Sequence, residues 1–131
     1  MRLGEKKGVL MRKILVVDDE VHTRLLYREL FSDGDYQVVT ASDGLEALRC
    51  IRDENPDLVI LDIRMPGIDG IEVLERSGEL KESLSFIICT AARNLIEEPT
   101  IKKRNVKALF TKPVDIGTLK AKVDEFFRTL H

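Results

Sequence analysis

Five polar residues, all at the ends of apolar runs, make up the chemistry-bearing set of this chain. Asp18 and Asp19 follow Lys13-Ile-Leu-Val-Val17, and Asp62 follows Leu58-Val-Ile-Leu61. Thr90 follows Phe86-Ile-Ile-Cys89, and Lys112, with Pro113 behind it, follows Ala108-Leu-Phe-Thr111. Three carboxylates, one hydroxyl and one ammonium describe a magnesium site next to a phosphoryl-accepting Asp. Crowded carboxylates repel one another, and a bound divalent cation relieves that repulsion. All-oxygen ligands in small number favour Mg2+, which keeps several waters and uses one or two carboxylates. The set can act only if its members meet. They do so if the apolar runs are parallel strands of one sheet, because the polar groups then emerge at the carboxyl edge, where open α/β sheets bind ligands.

The elements that would position them alternate regularly. Strands are expected at 13–17, 37–41, 58–61, 86–89 and 108–111. Helical spacing covers 21–31, with Leu26, Tyr27 and Leu30 on one face, and 45–54, with Leu45, Leu48 and Ile51. Ser42-Asp43-Gly44 supplies turn and cap chemistry ahead of the second helix, and Asn55-Pro56 stops it. Further helices are expected at about 69–80, less regularly at 95–104, and at 116–130, where Leu119, Val123, Phe126, Phe127 and Leu130 turn inward. Five strands and five helices in strict alternation imply an α/β fold, a doubly wound parallel sheet with right-handed crossovers and helices on both faces. Residues 1–11 are expected to form a flexible N-terminal extension to a single domain over 12–131.

Composition narrows the classes. With 131 residues the chain can bury about two thirds of its unfolded surface in one core. Its 21 basic and 23 acidic residues give a net charge of -2, which argues against broad attraction to nucleic acid or anionic membrane. No apolar stretch approaches the ~20 residues of a membrane span, and the basic start lacks the apolar centre of a signal peptide. A cytoplasmic protein, monomeric or weakly dimeric, is expected. Cys50 and Cys89 lie in a helical and a strand pattern without a second ligand at short spacing, and read as small apolar residues.

The segments ILVVDDE at 14–20, ASDGLEAL at 41–48 and PDLVILDIRMPGIDG at 56–70, together with Thr90-Ala91 and Lys112-Pro113, resemble the receiver domain of two-component response regulators, the CheY-like family. The resemblance covers residues 12 to 130. It implies a flavodoxin-like sheet of order 2-1-3-4-5. It also implies that Asp62 is the nucleophile that accepts a phosphoryl group in a Mg2+-dependent reaction. Asp19 would ligate the ion directly, Asp18 through water, and Asp62 and the Arg64 backbone carbonyl would complete the protein ligands. Lys112, the Thr90 hydroxyl and the Ala91 N–H would bind phosphoryl oxygens, with the Lys112–Pro113 bond cis. Arg64 and Ala92 would flank the attacking water. Such a protein modifies itself and hydrolyses its own mark, and is not a turnover enzyme.

Three places depart from the family pattern. Leu109 stands where the family has an aromatic partner for the Thr90 switch, and Phe110 faces the opposite side of the strand. Glu97-Glu98-Pro99 predicts a fourth helix that starts late and is short. Asn105 stands where a left-handed glycine cap is common. Output through another surface is therefore expected. Val21, His22 and Leu25 on the first helix, with Pro113 and Val114, form a surface suited to a histidine-kinase or histidine-phosphotransfer helix. His22 reads as a contact or solvated residue, and terminal His131 carries no role. An interaction module with an uncoupled switch is the alternative. A Mg2+-dependent Asp phosphatase would need an Asp-x-Asp pattern after the first strand, which Asp18-Asp19-Glu20 does not supply. No segment after residue 112 could form a DNA-reading helix-turn-helix.

Overall fold

The five apolar runs pair as parallel strands: β1 (Arg12–Val17), β2 (Tyr36–Ala41), β3 (Leu58–Leu61), β4 (Ser85–Thr90) and β5 (Asn105–Thr111). In the computed structural model, which describes residues 5–6, 9–10, 12–32, 36–91 and 98–129, their order is β2-β1-β3-β4-β5. This is the expected doubly wound sheet. Between the strands run α1 (Val21–Leu30), α2 (Gly44–Glu54), α3 (Gly70–Leu80) and α4 (Pro99–Lys103), and α5 (Ile116–Thr129) closes the chain. Ahead of the sheet, Glu5–Lys6 pairs antiparallel with Val9–Leu10, local order that the sequence alone does not suggest.

Both faces of the sheet are covered, which is why its central strands are apolar on both sides. Leu15, Val17, Val59, Leu61, Phe86 and Ile88 pack with Ala47, Ile51, Val73, Leu74 and Ile101 of α2, α3 and α4. Ile14, Val16, Leu58, Ile60, Ile87 and Cys89 pack with Tyr27 and Phe31 at α1 and with Leu119, Val123, Phe126 and Phe127 of α5. Leu109 joins the first layer and Phe110 the second, so the two do face opposite sides.

Several local expectations need correction. On α1 the buried residue is Tyr27, while Leu26 is 46% exposed; successive helical residues lie ~100° apart, so both cannot face the sheet. On α2 the inward set is Gly44, Ala47 and Ile51, and Leu45 is 60% exposed. Gly44 must face inward because a Cβ there would strike the backbone oxygen of Ile68, and this rotates Leu45 outward. Asn105 is not a left-handed cap: it opens β5, and its amide donates to Ser83 O and Ser85 Oγ. A left-handed residue does occur at Asn55 (φ 50), where α2 stops.

Helix α4 begins at Pro99 and has 5 residues, short as expected. Its neighbour Arg104 donates from Nε to Leu74 O (3.0 Å) and from Nη2 to Glu75 O (3.2 Å), tying the segment to α3. The expected helical start at 95–97, together with Ala92, Leu130 and His131, lies outside the described residues.

Candidate functional site

Strand register explains how the acidic groups meet. Val17 and Leu61 face each other on β1 and β3, so Asp18 and Asp62 follow side by side. The Asp62 N–H extends the ladder to Val17 O (2.9 Å), and the Asp18 N–H reaches Ala41 O (3.2 Å). On the other side, Thr90 faces Thr111, after a register shift between Phe86 and Ile87 that leaves Lys107 as the extra residue on β5. The Lys112 N–H then bonds Thr90 O (2.8 Å), setting Lys112 one residue past the sheet edge.

From there its ammonium reaches back across the edge. Lys112 Nζ lies 2.9 Å from Asp18 Oδ2 and 3.2 Å from Asp62 Oδ2. Asp18 and Asp62 are 3% and 5% exposed, whereas Asp19 is exposed. The remaining carboxylate oxygens accept backbone donors, Asp18 Oδ1 from Glu20 N (2.9 Å) and Asp62 Oδ1 from Arg64 N (3.2 Å). The Lys112–Pro113 bond is cis. Thr90 is fully buried and Ala91 exposed.

Electrostatics follow from this burial. Desolvation pushes the Asp62 carboxyl above its ordinary range, Lys112 pulls it back, and the Asp18 charge pushes it further up. Burial works against the Lys112 charge, but its bonds and attraction to Asp18 and Asp62 outweigh that and keep the ammonium firmly protonated. Burial also raises the Cys89 thiol to about 12, which leaves it an unreactive core group beside Tyr27.

Asp18, Asp19 and Asp62 can each offer a carboxylate oxygen with all three atoms within 4.8 Å of one another. The donors are all oxygen, and three carboxylates against one ammonium leave a local charge of about -2, the complement of a divalent cation. The residues therefore fit such an ion.

The loop after Asp62 is held by features the sequence reading missed. Gly70 N donates to Ile63 O (2.8 Å), and a Cβ at Gly70 would lie 2.6 Å from Ile63 Cα and 2.7 Å from Asp62 O. The N-terminus of α3, capped by Asp69 through Glu72 N, can thus sit directly on the backbone of Asp62. Arg24 was also missed: its Nη1 donates to the Asp18 backbone oxygen at 2.8 Å. The five positions of the sequence reading otherwise converge at one edge, and Leu109 lies one strand position from Phe110 on the α2–α4 side.

Comparison with known proteins agrees with this geometry. The response regulator receiver domain family matches residues 14–124. Sporulation initiation phosphotransferase F of Bacillus subtilis is 38% identical over 118 residues, 90% of this chain and 95% of that protein. The response regulator protein TrrA from Thermotoga maritima, solved in complex with Mg2+-BeF, superposes with a TM-score of 0.79 at 36% identity, over 88% of this chain and 98% of that one. A chain of the CheX-CheY-BeF3-Mg2+ complex from Borrelia burgdorferi gives 0.80 at 28% identity, over 95% and 96%. A doubly wound sheet of this strand order, with an acidic cluster and a lysine at its carboxyl edge, is the arrangement of a two-component receiver, and the family match covers it. This chain belongs to the response regulator receiver domain family.

Proposed function

We propose that this protein is a phospho-acceptor receiver that takes a phosphoryl group onto Asp62 from a histidine kinase or histidine-phosphotransfer protein. A single observation carries the reading: two buried carboxylates, Asp18 and Asp62, share the Lys112 ammonium at the sheet edge. In the transfer, Asp62 forms a P–O bond as the P–N bond of the donor phosphohistidine breaks, and the departing imidazole is protonated by solvent. Lys112 and the donors at Thr90 and Ala91 receive the oxygens of the new acyl phosphate. Mg2+, when held by Asp18, Asp19, Asp62 and the Arg64 carbonyl, supplies charge neutralisation at those oxygens. Water later cleaves the acyl phosphate and regenerates Asp62, so the protein is a switch or carrier. Output runs by protein contact or onward phosphotransfer.

The partner surface has support beside the site. Val21 and Leu25 are 48% and 58% exposed, and Leu26 and Ile116 add further exposed apolar area. A groove lined mainly by Leu26, Tyr27, Pro113, Val114 and Ile116, with Glu20 and Thr23 also in its wall, runs up to Lys112. Such an apolar strip suits an amphipathic helix carrying the donor histidine. No helix among the described residues is long and apolar enough to cross a membrane, and we place the protein in the cytoplasm with its kinase-facing chemistry.

The test is intact-protein mass after incubation with Mg2+ and acetyl phosphate. One added phosphoryl group that needs both Mg2+ and Asp62 supports the reading. An equal adduct on Asp62→Asn, or none on a folded protein saturated with Mg2+ and trapped by rapid quenching, contradicts it.

A further inference from the structure

We infer that Arg24 is a positioning residue for the cation site, holding the peptide that joins Asp18 to Asp19. The inference rests on the Mg2+-dependent reading of Asp62 given above. The guanidinium reaches back over the first turn of α1, from a residue whose own N–H bonds Glu20 O (3.1 Å), to donate to Asp18 O (2.8 Å). Helix α1 has no side-chain cap at Glu20. Arg24 ties helix to loop in another way, by donating to the Asp18 carbonyl ahead of the first turn.

The consequence falls on Asp19. Every polar atom of Asp18 is occupied: N by Ala41 O, Oδ1 by Glu20 N, Oδ2 by Lys112 Nζ, and O by Arg24 Nη1. The Asp19 carboxylate is exposed and makes no hydrogen bond or ion pair among the described residues. Its placement depends on the backbone from which it departs. Asp18 C=O and Asp19 N–H form one planar unit, so fixing the oxygen fixes the plane. Without Arg24 the Asp18 carbonyl keeps no partner among the described residues. The ties of Asp18 N to Ala41 O and of Glu20 N to Asp18 Oδ1 remain but neither grips that carbonyl, and Asp19 can turn away from the Asp18 and Asp62 oxygens. An Arg suits this task because it stays charged and offers several donors on a rigid plane.

Charge and positioning predict opposite signs, which makes the inference testable. A guanidinium near a cation site repels the cation, so by charge alone its removal tightens Mg2+ binding. Positioning requires weaker binding. Mg2+ titration calorimetry on wild type, Arg24→Met, Arg24→Lys and Arg28→Met separates the two. Arg28 is the control on the same helix, bonded to Thr40 Oγ1 at 3.1 Å away from the acidic cluster.

We expect Arg24→Met to bind Mg2+ about tenfold more weakly, as for loss of other groups that orient a ligand. Arg24→Lys should retain most of the affinity, and Arg28→Met all of it. In acetyl phosphate labelling, the Mg2+ concentration for half-maximal rate should rise by the same factor in Arg24→Met, while the rate at saturating Mg2+ is kept. Unchanged or tighter Mg2+ binding by Arg24→Met overturns the inference. If circular dichroism shows Arg24→Met unfolded, Arg24→Gln takes its place under the same criterion. Wild-type protein that binds no Mg2+ would defeat the functional reading itself, and this inference with it.

Discussion

Lys112 Nζ donates to Asp18 Oδ2 at 2.9 Å, a shorter contact than the 3.2 Å it makes to Asp62 Oδ2. The lysine just past β5 thus serves as counter-ion to the carboxylate just past β1 as much as to the one just past β3. Replacing it by Met leaves two buried carboxylates without their cation. With the Lys112 side chain 27% exposed, the loss is expected to be about 2 kcal/mol at pH 7, below that of a fully buried pair. Mg2+ should then restore more stability to Lys112→Met than it adds to wild type. Urea unfolding with and without Mg2+ measures both effects, and a variant as stable as wild type in Mg2+-free buffer would contradict the counter-ion role.

Gly70 offers a second test, because its neighbours are backbone rather than flexible side chains. Adding a Cβ 2.6 Å from Ile63 Cα and 2.7 Å from Asp62 O forces the 62–70 loop to shift. Gly70→Ala should cost about 2 kcal/mol and weaken Mg2+ binding through displacement of Asp62. Chemical denaturation paired with a Mg2+ titration reads the two together. Gly67 (φ 74), with nothing within 4 Å of its Cβ position, is the contrast: substitution there strains the turn without pressing on Asp62.

Tyr36 and Asp124 give a pH signature far from the site. The Tyr36 hydroxyl bonds Asp124 Oδ1 at 2.6 Å. Burial alone would raise the Asp124 carboxyl, but the Tyr36 hydroxyl and Lys120 outweigh it and hold the carboxyl below its ordinary range. A depressed carboxylate stabilises the fold above the unfolded pKa of about 3.9, and that contribution is lost as pH falls through the lower folded value. Tyr36→Phe keeps the ring contacts to Phe31 and Phe127 and should cost about 1 kcal/mol at pH 7, allowing for partial exposure. Thermal melts from pH 7 to pH 2.5 should show the gap to wild type closing on the acid side. A gap independent of pH would assign the loss to packing.

Leu25 probes the partner surface apart from the chemistry. Because it is 58% exposed, Leu25→Glu should change stability by less than about 0.5 kcal/mol. Labelling by acetyl phosphate should stay at the wild-type rate, while transfer from a phosphohistidine donor protein slows about tenfold, the equivalent of ~1.4 kcal/mol of docking energy. Equal slowing with both donors would place Leu25 in the chemistry and remove it from docking.

Much of this architecture is legible in the chain itself. The apolar runs, their β-branched content and the polar residue ending each one were enough to place Asp18, Asp62, Thr90 and Lys112 at a common edge, because strand register is short-range arithmetic once the sheet is parallel. The helix faces were read less well. Spacing put Leu26 on the inward face with Tyr27 and Leu30, and Leu45 on that of α2, yet Leu26 and Leu45 are exposed while Tyr27 and Gly44 turn inward, since a ring that fills the core and a backbone that must meet Ile68 outrank a leucine. Arg24 and Gly70 were invisible for another reason. Their partners are main-chain atoms of Asp18, Asp62 and Ile63, which carry no side-chain identity for a sequence pattern to reveal. Asn105 misled because α4 ends in extended backbone at Arg104 and the chain runs straight into β5.

The most direct test of the central claim is to locate the phosphoryl group chemically. After acetyl phosphate labelling in Mg2+, borohydride reduces an acyl phosphate to the alcohol and converts the modified aspartate to homoserine, which peptide mass mapping can place. Homoserine at position 62, abolished by chelating Mg2+ and absent at Asp18 and Asp19, is the predicted result. Homoserine at Asp18 or Asp19, or none at all in protein that gains the phosphoryl mass, would contradict Asp62 as the acceptor.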